Sequence, residues 1–318
     1  MLLPRPQAHG ASNWQAIAEV GSKVLVTGST SGNFSVSTSH VANGVHGEVD
    51  DHENILNWHA TGSIATNEEG GYWTDAAVSN HGMDATIAKL SDAGVPESIY
   101  SADSIPSDGL LAGSENGQRG GFAFATYIVP FADGRHAAVG GLFRGNLTFP
   151  IGNAGATTTL TNREFSTWES WVLKLDTWTM QGVWAVGVQT PDADPASCYG
   201  YWVRCSILLH GLKTTANGHV IATTGAGTYR QGTIRKLDGA DGSTIWDKGP
   251  FEGVNYLVGP TVIGEHFFVG GIIAGGVNGT DPFGTGLITG LPSPAPAGHT
   301  HFGQKGFLTK VSCCPCVS

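Results

Sequence analysis

The chain has 318 residues, with 26 acidic against 16 basic side chains, a formal charge of −10 and only 13% charged residues. The 40% hydrophobic share favours a folded chain over a disordered one. The acid excess, with no Lys/Arg cluster, excludes a nucleic-acid binder, because phosphate backbones recruit basic side chains.

Glycine is in excess at 47 residues, without the strict G-X-Y period of collagen. The glycines punctuate short apolar runs, the pattern of an all-β protein with many tight turns. No apolar run is long enough to span a bilayer, so no transmembrane segment is expected. The opening MLLPRPQAHG does not read as a signal peptide, since Pro4 and Pro6 break its short apolar piece.

Along the chain, Trp14–Val20 reads as a first strand. Val24-Leu25-Val26-Thr27-Gly28 follows, a small-or-apolar run ending in glycine. A long insert comes next, with Trp58 and Trp73 in it. Asp50 to Thr61 is its best helix candidate. His46, His52 and His59 stand there beside Asp50, Asp51 and Glu53, but their spacing is not that of H-E-x-x-H, and they read as polar loop residues. The insert ends in a second kind of anchor, Ile87-Ala88-Lys89-Leu90-Ser91, an apolar-x-Lys-Leu strand.

These two anchors alternate through the rest of the chain. The strand Phe122–Val129 leads to Ala137-Ala138-Val139-Gly140-Gly141, and then comes Val172-Leu173-Lys174-Leu175-Asp176. The strand Ser206–Lys213 leads to Val220-Ile221-Ala222-Thr223-Thr224-Gly225, and then comes Ile234-Arg235-Lys236-Leu237-Asp238. Phe267-Phe268-Val269-Gly270-Gly271 and a worn copy, Leu308-Thr309-Lys310-Val311-Ser312, complete the series. Only the copies at 220 and 267 stand at the spacing of about 40–50 residues of a propeller blade. The earlier copies stand farther apart through insertions after the second strand, which surface loops tolerate because closure entropy grows slowly with length.

A sheet of this kind is apolar on both faces and must stack on its neighbours. The expected fold is therefore all-β and propeller-like, one domain of four antiparallel blades at about 13–103, 120–190, 205–249 and 252–312. Residues 313–318 form a cysteine-rich tail. The last blade lacks a strand after Lys310, and an open edge invites pairing. Either Trp14–Val20 completes it or a partner chain supplies the strand.

The strings VLVTGSTSGNF (Val24–Phe34) and DATIAKL (Asp84–Leu90) resemble the SBBP-type β-propeller repeats of secreted and surface proteins. That resemblance implies a fold and no reaction.

Three N-x-S/T sequons, at Asn33, Asn146 and Asn278, are candidate glycosylation sites, which need an exposed position in a secreted chain. Cys198 and Cys205 are the expected disulfide. Cys313, Cys314 and Cys316 are too crowded for a tetrahedral metal site, and read as a tail suited to pairing between chains. Trp184 and Trp246 hold matching places in their units and read as packing. Trp58, Trp73 and Trp168 lie in irregular segments and are the candidate contact residues for a sugar or a protein. The repeated lysines read as solvated or paired, His299 and His301 as exposed loop, and Asp238–Ser243 as a β-turn.

No dinucleotide fingerprint, Walker A motif or G-x-S-x-G elbow is present. No cofactor, metal or catalytic set is expected. The favoured function is a non-enzymatic extracellular or cell-surface module, structural or protein-binding, whose partners are other chains, including copies of itself in a filament. The alternatives are a carbohydrate-binding module, and a propeller-fold hydrolase or quinone-dependent dehydrogenase, since one fold hosts many functions.

Overall fold

The computed structural model describes residues 12–30, 84–90, 96–105, 122–152, 155–162, 168–188, 207–226, 231–252, 254–263, 266–274 and 304–312. All regular structure among them is β-strand, and the chain is all-β. It divides into two compact units, Met1–Phe165 with Leu173–Ala185, and Ser166–Val172 with Val186–Ser318.

In the first unit, β1 (Ser12–Val20), β2 (Lys23–Thr30), β3 (Asp84–Leu90) and β4 (Pro96–Ile105) form an antiparallel meander in chain order. A second series begins with β5 (Phe122–Pro130) antiparallel to β6 (His136–Arg144). The hairpin β7 (Asn146–Ile151) and β8 (Ala156–Thr161) then intervenes. The series resumes with β9 (Glu169–Asp176) beside β6, and β10 (Gln181–Val188) beside β9. Part of the insertion expected as loop is thus a paired hairpin. β7 bonds β4 on one side and meets β10 through one parallel bridge, Gly182 to Ile151, which fuses the two series into one ten-stranded sheet.

That sheet curls back on itself, with β5 packed against β1, β2 and β3. Strand β3 is buried along nearly its whole length. A strand covered on both faces loses the apolar–polar alternation of a half-exposed one. Its residues 85–88 are accordingly small or branched, with Ala85, Ile87 and Ala88 at 0% exposure. Leu25, Phe143, Leu147 and Phe149 are equally buried, each side chain contributing about 1.5–3 kcal/mol. Hairpin strand β8, ATTTLT, has no such core and stays largely exposed on its outer side.

In the second unit, β11 (Ile207–Thr214), β12 (Val220–Ala226), β13 (Gln231–Leu237) and β14 (Thr244–Glu252) repeat the antiparallel meander. The strands β15 (Val254–Ile263), β16 (His266–Ala274) and β17 (Gln304–Ser312) follow. Their core joins Ile221, Ile234, Val254, Leu257, Phe267 and Val269, against which Trp246 and Phe251 pack. Trp246 stacks on Phe267 at 5.7 Å, the packing role expected of it.

Three anchor pairs meet in one register. Leu25 pairs with Lys89, Ile221 with Lys236 and Phe268 with Lys310. A β-bulge also recurs: an extra residue of the first strand sits opposite Thr27/Gly28, Gly140/Gly141 and Thr223/Thr224. A bulge raises local twist, and this one returns at the same place in three strand pairs. In β15 the irregularities flank the corresponding position instead.

Candidate functional site

Among the described residues of the first unit, a polar network lies where three turns gather. Gly21, in the β1–β2 turn, has φ +62°, and a Cβ there would stand 2.8 Å from the Gly134 carbonyl oxygen of the β5–β6 turn. Only glycine fits both the backbone and the approach. The β9–β10 turn joins them, with the Thr177 amide and hydroxyl donating to the Arg135 carbonyl at 2.9 and 2.6 Å.

Arg135 grips the far side of that turn. Its Nε donates to Asp176 Oδ2 at 2.9 Å, and its Nη2 reaches the same oxygen. The other carboxylate oxygen, Oδ1, accepts the amides of Trp178 and Thr179 at 2.9 and 3.3 Å, an Asx turn. Burial alone would raise the Asp176 carboxyl, but the Arg135 hydrogen bond and these amides outweigh it and hold it below its usual range. The hydrogen bond to Asp176, with its charge, raises the guanidinium in turn. The guanidinium lies 5.2 Å from the centroid of the Trp178 ring.

From β3, Lys89 Nζ donates to the carbonyls of Thr177 and Trp178 at 3.2 and 3.4 Å and stands 3.7 Å from Glu97. Glu97 also binds Lys23. Asp133 Oδ1 accepts the amides of Arg135 and His136, and Oδ2 meets the His136 ring at 2.6 Å. Partial burial works against ionisation, but those amides and the ring prevail and bring Asp133 down to about 2. The backbone at Met180 has φ 52°, left-handed for a non-glycine residue, with its side chain buried. From this frame Trp178 projects with 68% of its surface exposed.

Two carboxylates meet at the other end of β3. Asp84 is 5% exposed, and its Oδ1 accepts the Ser104 amide at 2.8 Å and hydroxyl at 3.0 Å. Burial, aided by the nearby Asp103 charge, raises Asp84 to about 6 against the pull of the Ser104 hydrogen bonds. Among the described residues, no three His, Cys, Asp or Glu side chains gather as metal ligands.

The expected site residues are placed as follows. Trp168 is half-buried just before β9, and its carbonyl accepts the Ile207 amide at 2.8 Å. Asn146 opens β7, paired with Ile105 on one side and Thr161 on the other, and its Oδ1 is shielded from solvent. Asn33, Asn278, Trp58, Trp73, Cys198, Cys205, Cys313, Cys314 and Cys316 lie outside the described residues, as do the insert histidines, the helix candidate, His299 and His301. The Asp238–Ser243 segment is a turn whose carboxylates accept the amides of Ala240 and Ser243 at 2.8 Å. Lys89 is paired, and Lys174 lies over the Phe131 ring at 4.9 Å. The exposed Trp178 was not singled out by the sequence. Its one local signal is Asp176 two residues earlier, the Asx-turn position.

No protein-family model matches the chain, and no curated protein matches it. Among solved structures it is similar to a quinohemoprotein alcohol dehydrogenase of Pseudomonas putida, at 9% identity and TM-score 0.27, covering 84% of this chain and 54% of that one. It is similar to a protein described as a dipeptidyl aminopeptidase IV from Bacteroides ovatus, at 8% identity and TM-score 0.27, covering 85% and 43%. It is also similar to the Dos1 propeller, at 8% identity and TM-score 0.25, covering 84% and 64%. The chain thus spans less than two thirds of each, and likenesses this distant decide neither its architecture nor its chemistry.

Proposed function

We propose that this chain is a non-enzymatic β-propeller module of the cell exterior that assembles with copies of itself through its end strands. The meanders β1–β4, β5–β10, β11–β14 and β15–β17 are its blades in this reading. The shared anchor register and the recurrent bulge support that assignment. The sequons and the cysteine tail support the location.

The observation that carries the assembly is at the ends of the two sheets. Among the described strands, β17 bonds only β16, and β1 bonds only β2 along its whole length. Trp14–Val20 is therefore the opening strand of its own meander. Each end strand exposes an aliphatic side chain, Leu308 at 74% and Ile17 at 64%. Strand β17 holds Lys305 and Lys310 and no acid, whereas β1 holds Glu19 and no base. An edge strand with exposed apolar residues is a template for pairing, and opposite charges across a strand pair favour it. A head-to-tail contact of β17 with β1 of the next copy is heterologous, and repeats of it build a ring where the rotation closes and a filament where it does not.

Sedimentation of the full chain over a concentration series, with and without reductant, tests this. Mass is expected to grow with concentration, and Leu308→Glu or Ile17→Lys to reduce it to monomer without lowering the melting temperature. A wild-type chain that stays monomeric at every concentration overturns the proposal.

A further inference from the structure

The turn between β9 and β10 presents an aromatic ring to water from a hydrogen-bonded backbone. Trp178 is 68% exposed, yet its amide is bound by Asp176, its carbonyl by Lys89, and its ring is backed by Arg135. Arg135 is itself fixed by two nitrogens on one Asp176 oxygen. The turn accepts a left-handed backbone at Met180, a conformation of measurable cost for a side-chain-bearing residue. An indole merely left over at a surface needs none of these restraints. A ring ordered before its ligand arrives avoids the entropy of ordering on binding.

The surroundings of the ring decide what it would bind. A protein-contact hot spot sits at the centre of an apolar patch. Among the described residues, Arg135 lies over the ring, Thr179 follows it in the turn and Asp133 stands near Arg135, all three exposed and polar. One flat apolar face ringed by hydrogen-bonding groups matches a pyranose, which offers a C–H face for stacking and hydroxyls at its edge. Charge narrows the class. Lys23, Lys89 and Arg135 are offset by Glu97, Asp133 and Asp176 within this one network. The platform has no net charge with which to select an anionic sugar.

We propose that Trp178, backed by Arg135, is a stacking platform for a pyranose ring of a neutral saccharide. This site lies in the first unit and does not rest on strand-edge assembly.

Calorimetric titration of the full chain with cellohexaose, mannohexaose and the hexamer of N-acetylglucosamine tests it, with hexagalacturonate as the anionic comparison. At least one neutral hexamer is expected to bind with a dissociation constant of about 1 mM or tighter. Trp178→Ala is expected to weaken it about tenfold or more, and Trp178→Phe less, because a ring remains. Arg135→Lys, which loses the planar fork on Asp176, is expected to fall between wild type and Trp178→Ala. The ring is exposed, so Trp178→Ala should melt as the wild type does. The proposal is overturned if no neutral hexamer binds, if Trp178→Ala binds as well as wild type, or if hexagalacturonate binds more tightly. It is equally overturned if Trp178→Ala abolishes self-association while no saccharide binds, which would make the ring a protein contact.

Discussion

Asp84 and Asp133 show how one residue type is driven in opposite directions by its surroundings. Asp84 is almost wholly buried and is raised to about 6. Its native carboxyl therefore keeps a proton that the unfolded chain gives up near pH 4. Between those values the native state binds more protons, so stability falls as pH rises from about 4 to about 6 and is level above, by about 1–3 kcal/mol. Asp84→Asn keeps the oxygen that accepts from Ser104 and removes the buried charge. It is expected to raise the melting temperature at pH 8, leave it nearly unchanged at pH 4, and remove the decline between. Thermal melts across that range check the sign, and a variant less stable than wild type at pH 8 would refute it. Asp133 runs the other way. Lowered to about 2, it contributes stability above its ordinary range, and that contribution is lost as pH falls toward 2. At 49% side-chain exposure its share is small.

At the scale of elements, the junction of the two strand series in the first unit depends on one small residue. Gly182 of β10 bridges Ile151 of β7, and its carbonyl accepts the Gly152 amide at 2.9 Å. A Cβ at Gly182 would stand 2.6 Å from the Pro150 carbonyl oxygen and 2.7 Å from the Ile151 side chain. The Tyr100 hydroxyl, which donates to that same carbonyl at 3.0 Å, closes the third side. Neither the backbone nor the buried tyrosine has room to yield. Gly182→Ala is expected to destabilise the protein by about 1–3 kcal/mol, the range for overpacking a filled site, read by denaturant unfolding. Gly152→Ala offers the contrast, since it meets no close atom but has φ +66°. It should act through backbone strain alone and leave the crossing intact.

For the whole molecule, covalent chemistry reports where it resides. Asn146 lies in a strand bonded on both sides with its side-chain oxygen out of solvent. A transferase needs an extended, accessible acceptor loop. Sugar is therefore expected on Asn33 or Asn278 rather than Asn146, together with a Cys198–Cys205 disulfide. Intact-mass measurement of the native protein, with and without glycosidase and reductant, reads both. An unmodified, fully reduced chain would remove the case for an exterior location.

The sequence by itself determined the anchor strands and their alternation, because that information is local. Branched and small apolar runs ending in glycine mark β2, β6, β12 and β16, the Lys-Leu runs mark β3, β9 and β13, and a worn copy with Lys310-Val311 marks β17, with partners adjacent in the alternation. Such runs stay legible because strands buried on both faces tolerate few residue types. The tertiary structure alone decided what depends on atoms distant in the chain. The hairpin β7–β8 matches neither anchor, its second strand is a threonine run with no apolar face, and its contacts with β4 and β10 give it a place. The recurrent bulges insert a residue without any marker of their own. Trp178 looks like its neighbours in sequence, and becomes a presented ring only because Arg135 and Lys89, from two other strand series positions, converge on its turn. Exposure and electrostatic support are properties of packing, so no local pattern could record them.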